Sequence, residues 1–258
     1  MNRRVALIGG TGIYHPIFKR VKEKEVETLY GKVKLKVGFF RSKEVFFLPR
    51  HGEKHSIPPH KINYRANLLA LKNLKVERIL ASSAVGSLNP QMKPSDFVLL
   101  DQFIDFTKVR PLTLFENKVI HIDLREPYCP EIRKTILKAS KELGTKIHEN
   151  GTYVCTEGPR FETPKEIEMF KRLGGDLVGM TNVPEVVLAR EAEICYATVA
   201  TVTNWACGIS KQKLTHIEVS EIMEKNMESL RKLFIRTIEL MPEERTCDCG
   251  SSLKGAVV

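Results

Sequence analysis

Several features are missing from this chain of 258 residues. No stretch approaches the ~18 consecutive apolar residues expected of a membrane helix. The run Val5-Ala6-Leu7-Ile8 is too short for a signal-peptide core and is cut by glycines. A soluble, cytoplasmic protein with no membrane partner is expected. No repeat of fixed period and no low-complexity tract occurs, which argues against solenoids and linkers. No Cys-x-x-Cys pair occurs, so a zinc ribbon is not expected and no metal site is assigned. Cys129, Cys155, Cys195 and Cys207 stand singly and read as buried free thiols. Cys247-Asp248-Cys249 differs, because such a pair can be redox-active or enter disulfides.

The hydrophobic share of 42% is ample for a core, and the formal charge is +10. A basic balance suits an anionic substrate, nucleic acid or a membrane surface. Here the lysines are mixed with glutamates, as in Lys19-Arg20-Val21-Lys22-Glu23-Lys24-Glu25, with no interleaved aromatics to stack bases. That pattern reads as a solvated surface, and no nucleic-acid partner is expected. Abundant charge of both signs also suits a heat-stable protein.

Strand and helix signals alternate. Arg4 to Ile8 reads as a buried strand ending in a glycine loop. Val33, Leu35 and Val37 alternate with lysines, as in a half-buried strand. Further strands are predicted at Val45–Leu48, Arg78–Ser83, Phe97–Leu100, Thr152–Thr156 and Cys195–Thr203. Ile62–Leu74 has helical spacing. A second helix opens at Pro130, carries Ile132, Ile136 and Leu143 on one face and stops at Gly144. Thr163-Pro164-Lys165-Glu166 is a capping box, and its helix should turn Ile167, Phe170 and Leu173 inward. Val219, Ile222, Met223, Leu230 and Leu233 mark a long amphipathic helix. This order predicts one α/β domain, residues 1–245, with a central mixed β-sheet flanked by helices, followed by a tail at 246–258. In such sheets, ligands gather at the carboxyl ends of strands.

Four strand-end segments carry groups suited to an anion. Gly9-Gly10-Thr11-Gly12 offers backbone N–H groups and a hydroxyl. It has neither dinucleotide-site glycine spacing nor a Walker ending. Pro49-Arg50-His51-Gly52 offers a planar guanidinium fork and an imidazole. Ser82-Ser83-Ala84-Val85-Gly86 adds hydroxyls, and Gly179-Met180-Thr181-Asn182 adds another. Each alone reads more readily as a structural turn. Together they can form one anion pocket, although sequence does not show that they converge.

These segments, with Pro59-His60-Lys61-Ile62-Asn63-Tyr64-Arg65-Ala66-Asn67, Asp101-Gln102-Phe103-Ile104-Asp105 and Glu157-Gly158-Pro159-Arg160-Phe161-Glu162-Thr163, carry a resemblance that runs nearly end to end. The chain resembles the trimeric nucleoside phosphorylases, the family of purine nucleoside phosphorylase and methylthioadenosine phosphorylase. The resemblance implies phosphate ligands at Thr11, Arg50, His51, Ser83, Ala84 and Thr181. It implies Met180 against the sugar and Phe161 against the base. It also implies a homotrimer or a pair of trimers, in which His121 from a neighbouring subunit closes the sugar end. The implied partners are a nucleoside and inorganic phosphate, the latter a co-substrate, with no cofactor.

Within that family, adenine-selective members have Asp-x-Asp where this chain has Asn204-Trp205-Ala206, and a small residue where it has Glu162. The pair present here resembles the 6-oxopurine enzymes. Asn204 can donate to the purine carbonyl or N7, and a Glu162 carboxylate can accept from N1–H. Adenine reverses that pattern and leaves buried groups unpaired, at roughly 1–3 kcal/mol each. Without the resemblance, Glu162 reads as an ordinary helix N-terminal acid. Asn204, Glu162 and His51 are the expected catalytic residues, with Thr203, Trp205 and Ala206 beside the base. The sugar end is mixed: His216 suits a 5′-hydroxyl, whereas a shift of one residue brings Ile217, which suits a 5′-methylthio group. Methylthioadenosine phosphorylase is the alternative activity. An NAD-dependent oxidoreductase and a nucleic-acid-binding protein are disfavoured readings from other classes.

Overall fold

The computed structural model describes residues 4–10, 19–41, 43–53, 56–210 and 215–258, with the side chains of 19, 20 and 216 left aside. Thr11 lies outside the described residues, as does the side chain of His216. Those described include eleven strands in one mixed sheet and five α-helices.

The centre of the sheet is β5 (Arg78–Ser87). Its first half pairs in parallel with β1 (Arg4–Gly9), its last residues antiparallel with β10 (Leu177–Gly179), and its whole length in parallel with β11 (Cys195–Trp205). Beyond β1 lie β4 (Lys43–Pro49), β3 (Gly31–Phe40) and the edge strand β2 (Lys19–Thr28). Beyond β10 lie β9 (Thr152–Thr156) and β7 (Gln102–Phe106). On the far side of β11 come β6 (Phe97–Leu99) and β8 (Ile147–His148).

Strand alternation decides which helices cover which face. Val5, Leu7, Val45, Phe47 and Leu80 point to one side and pack on α2 (Pro130–Leu143) and α5 (His216–Leu240). Ala6, Ile8, Phe46, Leu48 and Ile79 point to the other and pack on α1 (Tyr64–Asn73) and α4 (Asn182–Glu191). The shorter α3 (Pro164–Arg172) lies over β9 and β10 through Ile167 and Phe170. Its capping box is complete in both directions: Thr163 accepts from Glu166 N, and the Glu166 carboxylate accepts from Thr163 N.

The Lys/Glu run is exposed from Val21 to Glu25, as expected, and forms a charged edge strand, a composition that discourages pairing with other chains. Other expectations are corrected. Ser82 to Gly86 does not follow a strand but continues β5, because its small residues run between β10 and β11. Leu173 is 54% exposed at the end of α3, and Leu143 is 41% exposed in the last turn of α2. In α2 the apolar face continues through Ala139 instead. Gly144 ends α2 in the left-handed conformation with φ +63°, as expected of a helix C-terminus.

Candidate active site

A cavity of about 340 Å³ opens where β1, β4, β5, β10 and β11 end. Its lining includes Arg50, His51, Ser83, Ala84 and Thr181, the described residues expected to hold an anion, and Gly10. Phe161, Glu162, Met180, Thr203, Asn204 and Ala206 line it as well. Residues from all four segments therefore meet at one cavity, those of Ser82–Gly86 from within β5. Trp205, Ile217 and His121 do not line it. Trp205 instead contributes its carbonyl to Asn204, Ile217 is 70% exposed on the first turn of α5, and His121 is exposed, its N–H donating to Ala256 O. Val219, one turn into α5, lines the cavity from that helix.

Arg50 follows β4 and is held by three hydrogen bonds. Nε and Nη2 donate to the Glu185 carboxylate at 2.7 and 2.6 Å, and Nη1 donates to Ser82 O at 2.8 Å. Both partners of the ion pair are fully buried. Burial works against a charged guanidinium, but the adjacent Glu185 carboxylate outweighs it and holds Arg50 above its ordinary pKa. Among the described residues these bonds take three of the five guanidinium N–H groups, which leaves one on each Nη to donate to another anion. Glu185 is itself fixed by Tyr196, whose hydroxyl donates to Oε1 at 2.7 Å. Gly10 N donates to Ser82 Oγ at 3.2 Å, drawing the end of β1 onto β5. A Cβ at Gly10 would stand 2.7 Å from Arg50 Nη1, so a larger residue there would press on the guanidinium. His51 Nδ1 pairs with Ile57 O at 2.8 Å, which orients the ring.

The other groups are built from β9, β10 and β11. Between Val202 and Asn204 the pairing of β11 with β5 slips by a bulge, so that Asn204 stands opposite Gly86. A bulge re-aims the side chain that follows it. Thr203 Oγ1 donates to Asn204 Oδ1 at 2.7 Å, and Asn204 Nδ2 donates to Trp205 O at 2.9 Å. This fixes the amide and leaves one N–H of Nδ2 for a further acceptor. Glu162, buried just ahead of the α3 capping box, accepts from Thr156 Oγ1 at 2.6 Å. Burial raises its pKa above the usual carboxylate value, and the Thr156 bond opposes that rise only in part.

Sequence reasoning assigned no role to Glu185 or Arg110. Glu185 carries a signal after the fact: a lone acid in Val183-Pro184-Glu185-Val186-Val187-Leu188 must find a buried cation. Arg110 carries none, since it lies in an irregular segment. It donates to Met180 O and Val183 O, each at 2.7 Å, and to Glu157 O at 2.7 Å, tying the ends of β9 and β10 together.

Comparisons with known proteins identify the family. The Phosphorylase superfamily model matches residues 4–239. The chain is 56% identical to the 6-oxopurine nucleoside phosphorylase of Pyrococcus furiosus, over 98% of each chain. It is 48% identical to the probable S-methyl-5'-thioinosine phosphorylase of Methanopyrus kandleri, over 98% of this chain and 99% of that one. The solved methylthioadenosine phosphorylase from Schistosoma mansoni in complex with adenine superposes with a TM-score of 0.94 at 35% identity, covering 99% of this chain and 98% of that one. By fold and by relatives, this chain belongs to the phosphorylase superfamily, within its nucleoside phosphorylases.

Proposed function

We propose that the protein cleaves 6-oxopurine nucleosides with inorganic phosphate, releasing the free purine and a ribose 1-phosphate. One observation carries the reading: an anion cradle built on Arg50 and the pair Asn204 and Glu162 line the same cavity. The C1′–N9 bond stretches first, and the ribose takes on oxocarbenium character. Phosphate held by Arg50, His51, Ser83 and Thr181, with Thr11 added by resemblance, stabilises that cation and bonds to C1′. The purine departs with the electron pair, and Asn204 donates to the charge arriving on N7 or the carbonyl. Both contributions are electrostatic preorganisation, commonly the main source of an enzyme's rate enhancement. Glu162 reads the N1–H of the base. Phosphate is a co-substrate, and no cofactor enters the scheme.

A 5′-methylthio sugar is the second reading, favoured by Val219, Ile57 and Pro58 in the lining, all apolar. His121, exposed and away from its own chain's cavity, suits a homotrimer in which it reaches a neighbour's site. No helix among the described residues is long and apolar enough to cross a membrane, and we place the reaction in the cytoplasm.

The test is phosphate-dependent release of base from inosine, guanosine, adenosine, methylthioinosine and methylthioadenosine, compared by kcat/KM. The 6-oxopurine compounds should lead. Adenine compounds leading would overturn the base assignment, and no cleavage with phosphate present would overturn the activity.

A further inference from the structure

Tyr153 lies in β9 and is completely buried. It does not line the cavity, but its hydroxyl meets residues that do. Alternation along β9 sends Val154 towards α3 and sends Tyr153 and Cys155 to the opposite face. Tyr153 pairs with Leu177 of β10, and its ring runs along that strand to Gly179. A Cβ at Gly179 would overlap the phenol oxygen and Cζ, so glycine is what lets the ring pass.

At that point the phenol oxygen meets two residues of the expected anion cradle. It accepts from Thr181 N–H at 3.2 Å, and it stands in hydrogen-bonding contact with the side-chain hydroxyls of Ser83 and Thr181. Neither hydroxyl is held firmly by its own segment. Thr181 is the N-cap residue of α4, yet its side chain makes no capping bond to that helix. The local acceptor for Ser83 Oγ is Ala84 O at 3.5 Å, long for an O–H···O bond.

A bound oxyanion decides the direction of these bonds. Its oxygens are acceptors, so Ser83 and Thr181 must turn their hydrogens into the cavity to hold it. Each hydroxyl oxygen then has lone pairs left for a donor behind it. The phenol can be that donor. Burial raises its pKa to about 12, so it keeps its proton through the neutral range. One of its lone pairs is taken by Thr181 N–H, and its own hydrogen is left for the hydroxyls.

We propose that Tyr153 is a positioning residue of the phosphate site, its O–H donating to the Ser83 and Thr181 hydroxyls and so aiming their hydrogens at phosphate. The inference rests on the phosphorylase reading, in which phosphate is the co-substrate. Tyr153 makes no bond to phosphate itself and acts on phosphate rather than on the purine.

Initial rates at varied phosphate and at varied inosine test this in the full chain. Tyr153→Phe keeps the ring and removes the hydroxyl. It should raise the phosphate KM roughly tenfold, the lower end of the range for outer-shell partners of metal ligands. The inosine KM, and kcat at saturating phosphate, should stay within about twofold. Tyr153→Met removes the same hydroxyl and fills the space with a flexible side chain, so it should give the same phosphate shift and stands in if the first variant packs poorly. Combined with Ser83→Ala, Tyr153→Phe should raise the phosphate KM by less than the product of the separate effects, because both act on one chain of hydrogen bonds. A full product, an unchanged phosphate KM, or equal weakening of phosphate and inosine overturns the proposal. Calorimetric titration with inorganic phosphate separates this from the activity. A parent protein that cleaves no nucleoside sinks the phosphorylase reading, whereas an unchanged phosphate Kd in Tyr153→Phe sinks the role of Tyr153 whatever the turnover.

Discussion

Glu185 grips Arg50 along one edge, at 2.7 Å to Nε and 2.6 Å to Nη2, and so decides which edge of the guanidinium faces the cavity. Removing one partner of a buried pair costs about 3–5 kcal/mol. Glu185→Gln should therefore lower Tm and raise the KM for phosphate by roughly 10–100-fold, the scale seen for outer-shell partners of metal ligands. Initial rates at varied phosphate measure this. A phosphate KM that stays put in folded protein would show that Glu185 does not position Arg50.

Gly10 lies against the same guanidinium, and Gly10→Ala would place a Cβ 2.7 Å from Nη1. Since Glu185 and Ser82 pin Arg50, it cannot simply swing aside. The substitution should raise the phosphate KM while leaving hypoxanthine affinity, read by calorimetry, near the parent value. Equal weakening of both ligands would point to general damage instead.

Asn204 is oriented by Thr203 and Trp205 before any base arrives. Asn204→Ala should cost on the order of 10²–10³ in kcat, by analogy with loss of an oxyanion donor. A change confined to KM would mean ground-state binding and remove Asn204 from the chemical step.

Glu162 sets an acid limb. Burial raises its pKa, and a carboxylate must be ionised to accept from N1–H. Thus kcat/KM for inosine should fall, as pH drops, at a pH above the ordinary glutamate value of about 4.3. Glu162→Gln should remove that limb and lower kcat/KM at neutral pH; an unchanged profile would assign the limb elsewhere. The stability effect has the opposite sign. A raised folded pKa means the native state binds the proton more tightly, so this contribution is full below the unfolded pKa and is lost as pH rises through the folded one.

Much of the fold follows from local sequence. Alternation in Val33-Lys34-Leu35-Lys36-Val37, the Thr163 capping box and Gly144 are local signals, and local sterics and hydrogen bonds decide them wherever the chain sits. The residue types of the site were legible for the same reason where they follow strand ends, as Arg50 and Thr181 do, whereas Ser83 lies within β5. The rest depends on long-range packing. The bulge before Asn204 depends on register against β5, a pairing between segments more than a hundred residues apart. Glu185 gains its meaning from a partner 135 positions away. Four cysteines that read as isolated thiols meet only after α2, β11 and the tail have packed. Hydrophobic pattern specifies which face of an element is buried, but not which distant polar group will lie opposite it, and that is settled only when the sheet closes on its helices.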